Sequence, residues 1–272
     1  MAGTTGTVDD PELLDNTDHG IVLAAGRGRR MGDATTHTPK CLQVVQGRTL
    51  LNHIMGAFQE AGIVDVAVVT GYKPTNVEKF VQVTFHNERW ATTNMVASLR
   101  MADSWLSSFP CVVSYSDIFY GGTAIRRIRE SDAELAVLFD RNWLSLWSQR
   151  FTDPLSDAEV FRLEDNRYII EIGQDPRSIS DVEGQFMGLW SITPPAWKRM
   201  KTLLEGMPES LQDSIDTTSL FQRWIDAGLG PIEAIEFSGV WGEVDNETDL
   251  ALYNNMEDLI IHEEDYLSTD RP

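Results

Sequence analysis

Apolar positions along the chain follow two patterns, continuous short runs and helical spacing. Residues 20–25, GIVLAA, form an unbroken apolar run that opens onto a glycine-rich stretch, GRGRR. That predicts a buried parallel strand, because a strand covered on both faces shows no polar alternation. Leu50, Leu51, Ile54, Met55 and Phe58 recur at helical spacing and predict a helix over 49–61. VDVAVVT, 64–70, predicts a second buried strand, closed by Gly71. A short helix is expected over 76–80 and a third strand from Val81. Thr93 is placed to cap a helix running to about Trp105, and Pro110 precedes a fourth strand, CVVSYSD.

The second half changes character. LAVLF from Leu135 predicts a strand, and 159–163 with 167–172 predict a hairpin turning at 164–166. GQFMGLWSIT predicts a strand from Gly184, helices are expected over 194–204 and 214–227, and GVWGEVDNETDLALYNNMEDL predicts a strand running into a helix. The sum is an α/β fold: a Rossmann-like, mainly parallel mixed sheet flanked by helices, with a small substrate-facing lid of a hairpin plus helices. The expected organisation is a flexible acidic arm over 1–18, one domain over 19–260 with its lid at about 140–230, and an acidic, solvated tail over 261–272.

Composition narrows the function classes. At roughly 150 residues per domain, the 272 residues make one large domain or two. The 22 basic residues against 42 acidic ones leave a net charge of −20, which argues against nucleic-acid or anionic-membrane partners, since both need basic surface. Two cysteines, Cys41 and Cys111, rule out a disulfide scaffold or a multi-thiolate zinc site. No apolar run reaches the ~18 residues of a membrane span, and 1–20 lack a basic-then-apolar leader, so a cytoplasmic location is expected.

Against that acidic background, LAAGRGRRMG at 23–32 clusters Arg27, Arg29 and Arg30, and Lys40 follows Pro39. A loop after a strand exposes backbone N–H groups that can cradle phosphate. Fields beyond ~8 Å are screened, so an anionic ligand senses this local cluster more than the global charge. The alternative is a glycine turn with solvated arginines. The stretch is neither the dinucleotide fingerprint, because Met31 stands where its third glycine belongs, nor a P-loop, because no GK[ST] follows. Asp117 ends CVVSYSD, at the carboxyl end of a strand where such folds place ligands. Asn94 and Ser98 share one helical face, in a ligand-facing or a merely capping role. Trp143 and Trp147 also lie four apart. With Asp181, Glu183 and Phe186 of DVEGQFMGLW they suit a small cation, or else an aromatic core with solvated acids.

LAAGRGRRM…PK resembles the signature of nucleotidyltransferases that activate sugar phosphates and small phosphomonoesters. VVTGY (68–72), HNERW (86–90), TNMVASL (93–99), DPLSDAEVFRLED (153–165), DVEGQFMGLW (181–190) and EVDNETDL (243–250) are similar to the phosphocholine and phosphonate cytidylyltransferase branch. The resemblance covers roughly 20–253. It implies a nucleotide site of Leu23, Ala24, Ala25, Gly26, Arg27, Gly28, Arg30, Lys40, Gly71, Tyr72, Asn87, Asn94 and Ser98. Arg30, Lys40 and Asp117 would be catalytic, and Asp117 with Asp245 would hold Mg²⁺. Tyr115 stands where the common Asp-x-Asp motif has its first aspartate, which counts against a two-metal scheme. Trp143, Trp147, Asp181, Glu183, Gln185 and Phe186 would bind the acceptor.

The implied partners are CTP and phosphocholine, 2-aminoethylphosphonate or 2-hydroxyethylphosphonate, with pyrophosphate released; a homodimer is compatible. Competing readings are a sugar-1-phosphate nucleotidyltransferase using UTP, dTTP or GTP, a glycosyltransferase of similar fold, and a non-catalytic nucleotide-binding regulator. Retention of Arg30, Lys40, Asp117 and Asp245 together argues against the last. Lys40 and Asp117 are expected outside the core.

Overall fold

A computed structural model describes residues 18–257 and 259–262. Most of the arm expected over 1–18 and of the tail from 261 lies outside the described residues. The strands are β1 (His19–Ala24), β2 (Val44–Val45), β3 (Arg48–Thr49), β4 (Val66–Thr70), β5 (Val83–His86), β6 (Cys111–Tyr115), β7 (Ile118–Tyr120), β8 (Leu135–Asp140), β9 (Phe161–Glu164), β10 (Tyr168–Ile172), β11 (Gln185–Ile192), β12 (Glu233–Glu236) and β13 (Trp241–Glu243). Nine of them form one sheet in the order β5-β4-β1-β6-β11-β8-β12-β10-β9. The β5-β4-β1-β6 half is parallel throughout, as is β8 with β12. β11 runs antiparallel between β6 and β8, and the β9–β10 hairpin extends the far end through β12. This is the expected mixed, mainly parallel α/β sheet.

The unbroken apolar runs have a direct cause. Alternate residues of each central strand enter different cores: Ile21 and Leu23 of β1 pack on one face of the sheet, Val22 and Ala24 on the other. Val113 and Val112 of β6, and Val137 and Leu138 of β8, divide in the same way. Each fully buried aliphatic side chain contributes about 1.5–3 kcal/mol relative to exposure. Helix Leu50–Glu60 covers one face, and Thr49 caps it by accepting from the Asn52 N–H at 3.1 Å.

Several elements differ from the expectation. The helix predicted from Thr93 starts one residue later, because Asn94 is the cap and accepts from the Met95 N–H at 2.8 Å. It then breaks into Met95–Leu99, a 3-10 turn Arg100–Ala102 and a short helix Asp103–Leu106. Tertiary bonds fix that break, since the Asp103 carboxylate accepts from Trp197 Nε1 at 2.7 Å. The predicted 214–227 helix is Thr217–Asp226, started by Asp216, whose carboxylate accepts from the Ser219 N–H. The β7–β13 ribbon and helix Gly122–Ile128 were not anticipated. Ile261 and His262, assigned to a solvated tail, are instead buried: His262 lies 3.0 Å from His53 and 2.6 Å from Glu60. Among the described residues no helix is long and apolar enough to cross a membrane.

Candidate active site

The loop after β1 passes directly over the stem of Lys40. Gly28 sits there at φ 75°, and a Cβ on it would approach the Lys40 Cβ to 2.7 Å, so only glycine fits. Lys40 opens the short turn Lys40–Leu42, and its side chain is 9% exposed. Its ammonium donates to Asp117 Oδ2 at 2.8 Å and to Asp245 Oδ1 at 2.7 Å. Lys40 is therefore internal, contrary to its expected place outside the core.

The two carboxylates meet because of the β7–β13 ribbon. Ile118 pairs with Glu243, and the Val244 N–H donates to the Asp117 carbonyl at 2.8 Å. Residues two apart on an extended segment face the same way, so Glu243 joins Asp245 beside Asp117. One oxygen from each of the three lies within 4.8 Å of the others. Asp117 Oδ1 is buried with no hydrogen-bond partner. An all-carboxylate donor set with an unused buried oxygen fits a hard divalent cation such as Mg²⁺.

Two arginines complete the cluster. Arg30 donates to Asp245 Oδ1 at 2.8 Å and to Asp157 Oδ1 at 3.3 Å. The fully buried Arg150 side chain reaches Asp249 at 3.1 Å, Glu243 at 3.1 Å and Asp245 at 3.3 Å, and lies 4.7 Å over the Trp147 ring. Burial disfavours charge on Lys40, but Asp117 and Asp245 outweigh it and hold the ammonium above its ordinary pKa. Burial would likewise raise Asp245, yet Lys40, then Arg30 and Arg150, keep it below the usual carboxylate range. Glu243 goes the other way, pushed up by burial and by the neighbouring Asp245 charge.

Two cavities of about 360 Å³ each open on this cluster. They share a wall of Arg30, Asn94, Met95, Tyr115 and Asp117. The first is lined by Leu23, Ala25, Gly26, Gly28, Lys40, Trp90 and Ser98. The second continues to Asp157, Glu159, Asp216, Gln185, Phe186 and Asp245.

The structure brings many of the sequence-predicted residues together, though not all. Leu23, Ala25, Gly26, Gly28, Arg30, Lys40, Asn94, Ser98 and Asp117 line the first cavity. Ala24 packs into the opposite core. Arg27 turns toward Thr36 and lies 5.8 Å from the Tyr72 ring. Gly71, Tyr72 and Asn87 stand behind the cavity as braces. The Tyr72 N–H donates to the Ala25 carbonyl at 2.9 Å, and its hydroxyl donates to the Thr36 carbonyl at 2.7 Å. Asn87 Nδ2 donates to Thr93 Oγ1 and Ser98 Oγ, each at 3.0 Å.

Asp245, Gln185 and Phe186 line the second cavity, and Trp143 and Trp147 do not. Both tryptophans are core, at 2% and 0% exposure, with Trp143 Nε1 donating to the Val182 carbonyl at 3.1 Å. Asp181 closes its own turn and pairs with Arg162, and Glu183 is exposed. The aromatic cage expected from these four residues is not formed by them, because the inner face of helix Trp143–Arg150 packs against the sheet.

Arg150, Asp157, Glu159, Asp216 and Glu243 were missed. For Glu243 the signal was present, since it stands two residues before Asp245 on a strand. For the others, sequence spacing carries no sign of the convergence.

Residues 20–167 match the family described as a MobA-like NTP transferase domain. Over 246 residues the chain is 28% identical to a CTP:phosphoglutamine cytidylyltransferase of Campylobacter jejuni, covering 85% of this chain and 96% of that relative. It is 24% identical over 246 residues to a 2-aminoethylphosphonate cytidylyltransferase of Lancefieldella rimae, covering 86% and 91%. The solved structure of a CTP:phosphocholine cytidylyltransferase from Streptococcus pneumoniae superposes with a TM-score of 0.66, covering 88% of this chain and 99% of that one. At 17% identity that last likeness speaks for the fold alone.

Proposed function

Since this chain belongs to the family of MobA-like NTP transferase domains, we propose that it is a CTP-dependent cytidylyltransferase that moves CMP onto a small phosphonate or phosphomonoester and releases pyrophosphate. The observation that carries this reading is Lys40 held between Asp117 and Asp245 where two cavities share a wall. The choice of CTP rests on the similarity to two cytidylyltransferases over most of both chains.

The chemistry asks little of side chains as acids or bases. A phosphomonoester has a second pKa of about 6, so at neutral pH its oxygen is already a competent nucleophile. That oxygen attacks the α-phosphorus of CTP, the bond to the bridging oxygen of the β-phosphate breaks, and pyrophosphate leaves with the electron pair. Positioning and neutralisation of the phosphate charge make up the rest. The first cavity takes the nucleotide, with backbone N–H groups of the 25–28 loop toward its phosphates. Lys40 and Arg30 supply positive charge at the shared wall. Asp117, Glu243 and Asp245 would hold Mg²⁺, which when bound neutralises charge on the triphosphate. The second cavity takes the acceptor, with its phosphate end at Arg30.

The test is a matrix of CTP, UTP, dTTP and GTP against phosphocholine, 2-aminoethylphosphonate, 2-hydroxyethylphosphonate and glucose 1-phosphate, scored by pyrophosphate release. Turnover with CTP and a phosphonate or phosphocholine is expected. Product only from UTP or dTTP with the sugar phosphate overturns the reading.

A further inference from the structure

The second cavity contains a buried hydrogen-bond acceptor that has nothing to accept. Gln185 is 9% exposed, and its Oε1 has no partner although it lies in the cavity wall. Its placement is built into the strand. β11 breaks its ladder with β8 between Phe186 and Trp190, around Gly188 at φ 75°. A Cβ on Gly188 would meet the Tyr115 ring at 2.6 Å. The bulge seats the Phe186 ring edge-to-face with Tyr115, centroids 5.9 Å apart, with Gln185 beside it in the same wall.

The neighbours of Gln185 in that wall are acceptors too. Asp157 is bonded to Arg30, but Glu159 and Asp216 line the same cavity without an ion pair to Arg30, whose charge is committed to Asp245 and Asp157. The Thr218 hydroxyl, which also faces Glu159, donates to Asp216 Oδ1 at 3.4 Å, and Asp216 takes the Ser219 N–H as well. Both carboxylates keep further lone pairs. A wall of carboxylates plus one orphaned amide oxygen suits a cation rich in N–H donors. It does not suit a quaternary ammonium, which donates no hydrogen bond and is normally held by aromatic faces. Only Tyr115 and Phe186 offer rings here, since Trp143 and Trp147 are in the core.

Building on the cytidylyltransferase reading, we propose that Gln185, Glu159 and Asp216 form a subsite for a primary ammonium group on the acceptor. The acceptor is then an aminoalkyl phosphonate or the phosphate ester of an amino alcohol, with its anionic end at Arg30 and its ammonium at Gln185. Gln185 and Glu159 determine specificity by hydrogen bonding, and a trimethylated head group leaves Gln185 Oε1 unsatisfied.

Three acceptors that share one phosphonate and differ only at the head test this: 2-aminoethyl-, 2-(trimethylammonio)ethyl- and 2-hydroxyethylphosphonate, each with CTP and the full chain. The wild type is expected to favour the amine over both others by about ten- to several-hundredfold in kcat/KM. Gln185→Met and, on a separate segment, Glu159→Gln should each bring the amine-to-hydroxyl ratio close to one. Equal wild-type efficiency on the primary and trimethylated ammonium overturns the subsite, as does an unchanged ratio in both variants. No pyrophosphate from CTP with any of the three, nor with phosphocholine or phosphoethanolamine, overturns the parent reading, and the subsite with it. Turnover without head-group preference removes the subsite alone.

Discussion

Lys40 Nζ and Asp245 Oδ1 meet at 2.7 Å across 205 residues of chain, and Asp117 closes on the same ammonium from the bend between β6 and β7. The contact ties the glycine-rich loop, the β6 end and the β7–β13 ribbon into one unit. Lys40→Met removes the cation shared by Asp117 and Asp245 and leaves only Arg30 and Arg150 against the carboxylate trio. Turnover should fall by about 10²–10³, the scale of losing one stabiliser of transition-state charge. Urea unfolding should also report a loss of about 3–5 kcal/mol, as when one partner of a buried ion pair is removed. Near-normal kcat removes Lys40 from the chemistry.

Asp117→Asn takes a charge from the carboxylate trio while keeping its shape. The Mg²⁺ concentration for half-maximal activity should rise and kcat should drop. A metal-activation curve superimposable on the wild type shows that Asp117 is not a ligand.

Arg150 is the only cation that touches Glu243, Asp245 and Asp249 together among the described residues. Arg150→Met should cost about 3–5 kcal/mol at pH 7. The sign of the pH dependence follows from Asp245. Its depressed pKa contributes stability above the unfolded value of about 3.9, and that stability is lost as pH falls through the folded value. The variant lacks part of that contribution, and protonation relieves its carboxylate repulsion. The gap in stability between wild type and variant should therefore narrow as pH falls from about 4 through the folded value. A gap that widens contradicts the assignment.

Trp147→Ala should lower stability by about 3–5 kcal/mol, as for other buried tryptophans. The ranking of acceptors should not change, because Trp147 is fully buried outside the second cavity. A variant of normal stability with an altered ranking would restore the tryptophan cage.

Glu159 is held up to about 7, chiefly by burial, against its bond from Thr218 and with Asp216, Asp157 and Asp175 adding negative charge. Tyr115, also near it, stays neutral because burial raises its pKa well above the ordinary value. Glu159 is thus neutral below that pH and a carboxylate above it, while an alkylammonium stays charged throughout. The ratio of aminoethyl- to hydroxyethylphosphonate efficiency should rise from pH 6 to pH 8 in the wild type and flatten in Glu159→Gln. The ratio is corrected for the second ionisation of each phosphonate, measured separately, because the ammonium lowers it in the aminoethyl compound. A flat wild-type profile means that Glu159 does not face the amine.

The half of the candidate site at the first cavity was largely legible because it is written in contiguous motifs. The glycine-rich run and Asp117 each follow closely on a strand that hydrophobic pattern alone predicts, and Pro39-Lys40 belongs to the motif that opens with that run. The second cavity was not legible in this way. Asp157, Glu159, Gln185 and Asp216 come from separate connections and a strand end, and each is unremarkable in its own stretch. Trp143 and Trp147 misled because spacing of four puts two side chains on one face without saying whether that face meets a ligand or a sheet. Arg150, the last residue of that helix, carries no sign in its own stretch that Glu243, Asp245 and Asp249 close around it.

Gly188 divides β11 into halves with separate allegiances. Residues 189–192 are registered against β6, from Leu189 opposite Ser114 to Ile192 opposite Cys111, and hold the centre of the sheet. Upstream of the bulge, only Gln185 and Phe186 pair with β8. Drift at 185–187 therefore reshapes one end of a cavity without shifting the frame of the strands beyond. The wall of the second cavity is thereby free to vary while the Lys40–Asp117–Asp245 cluster keeps its place.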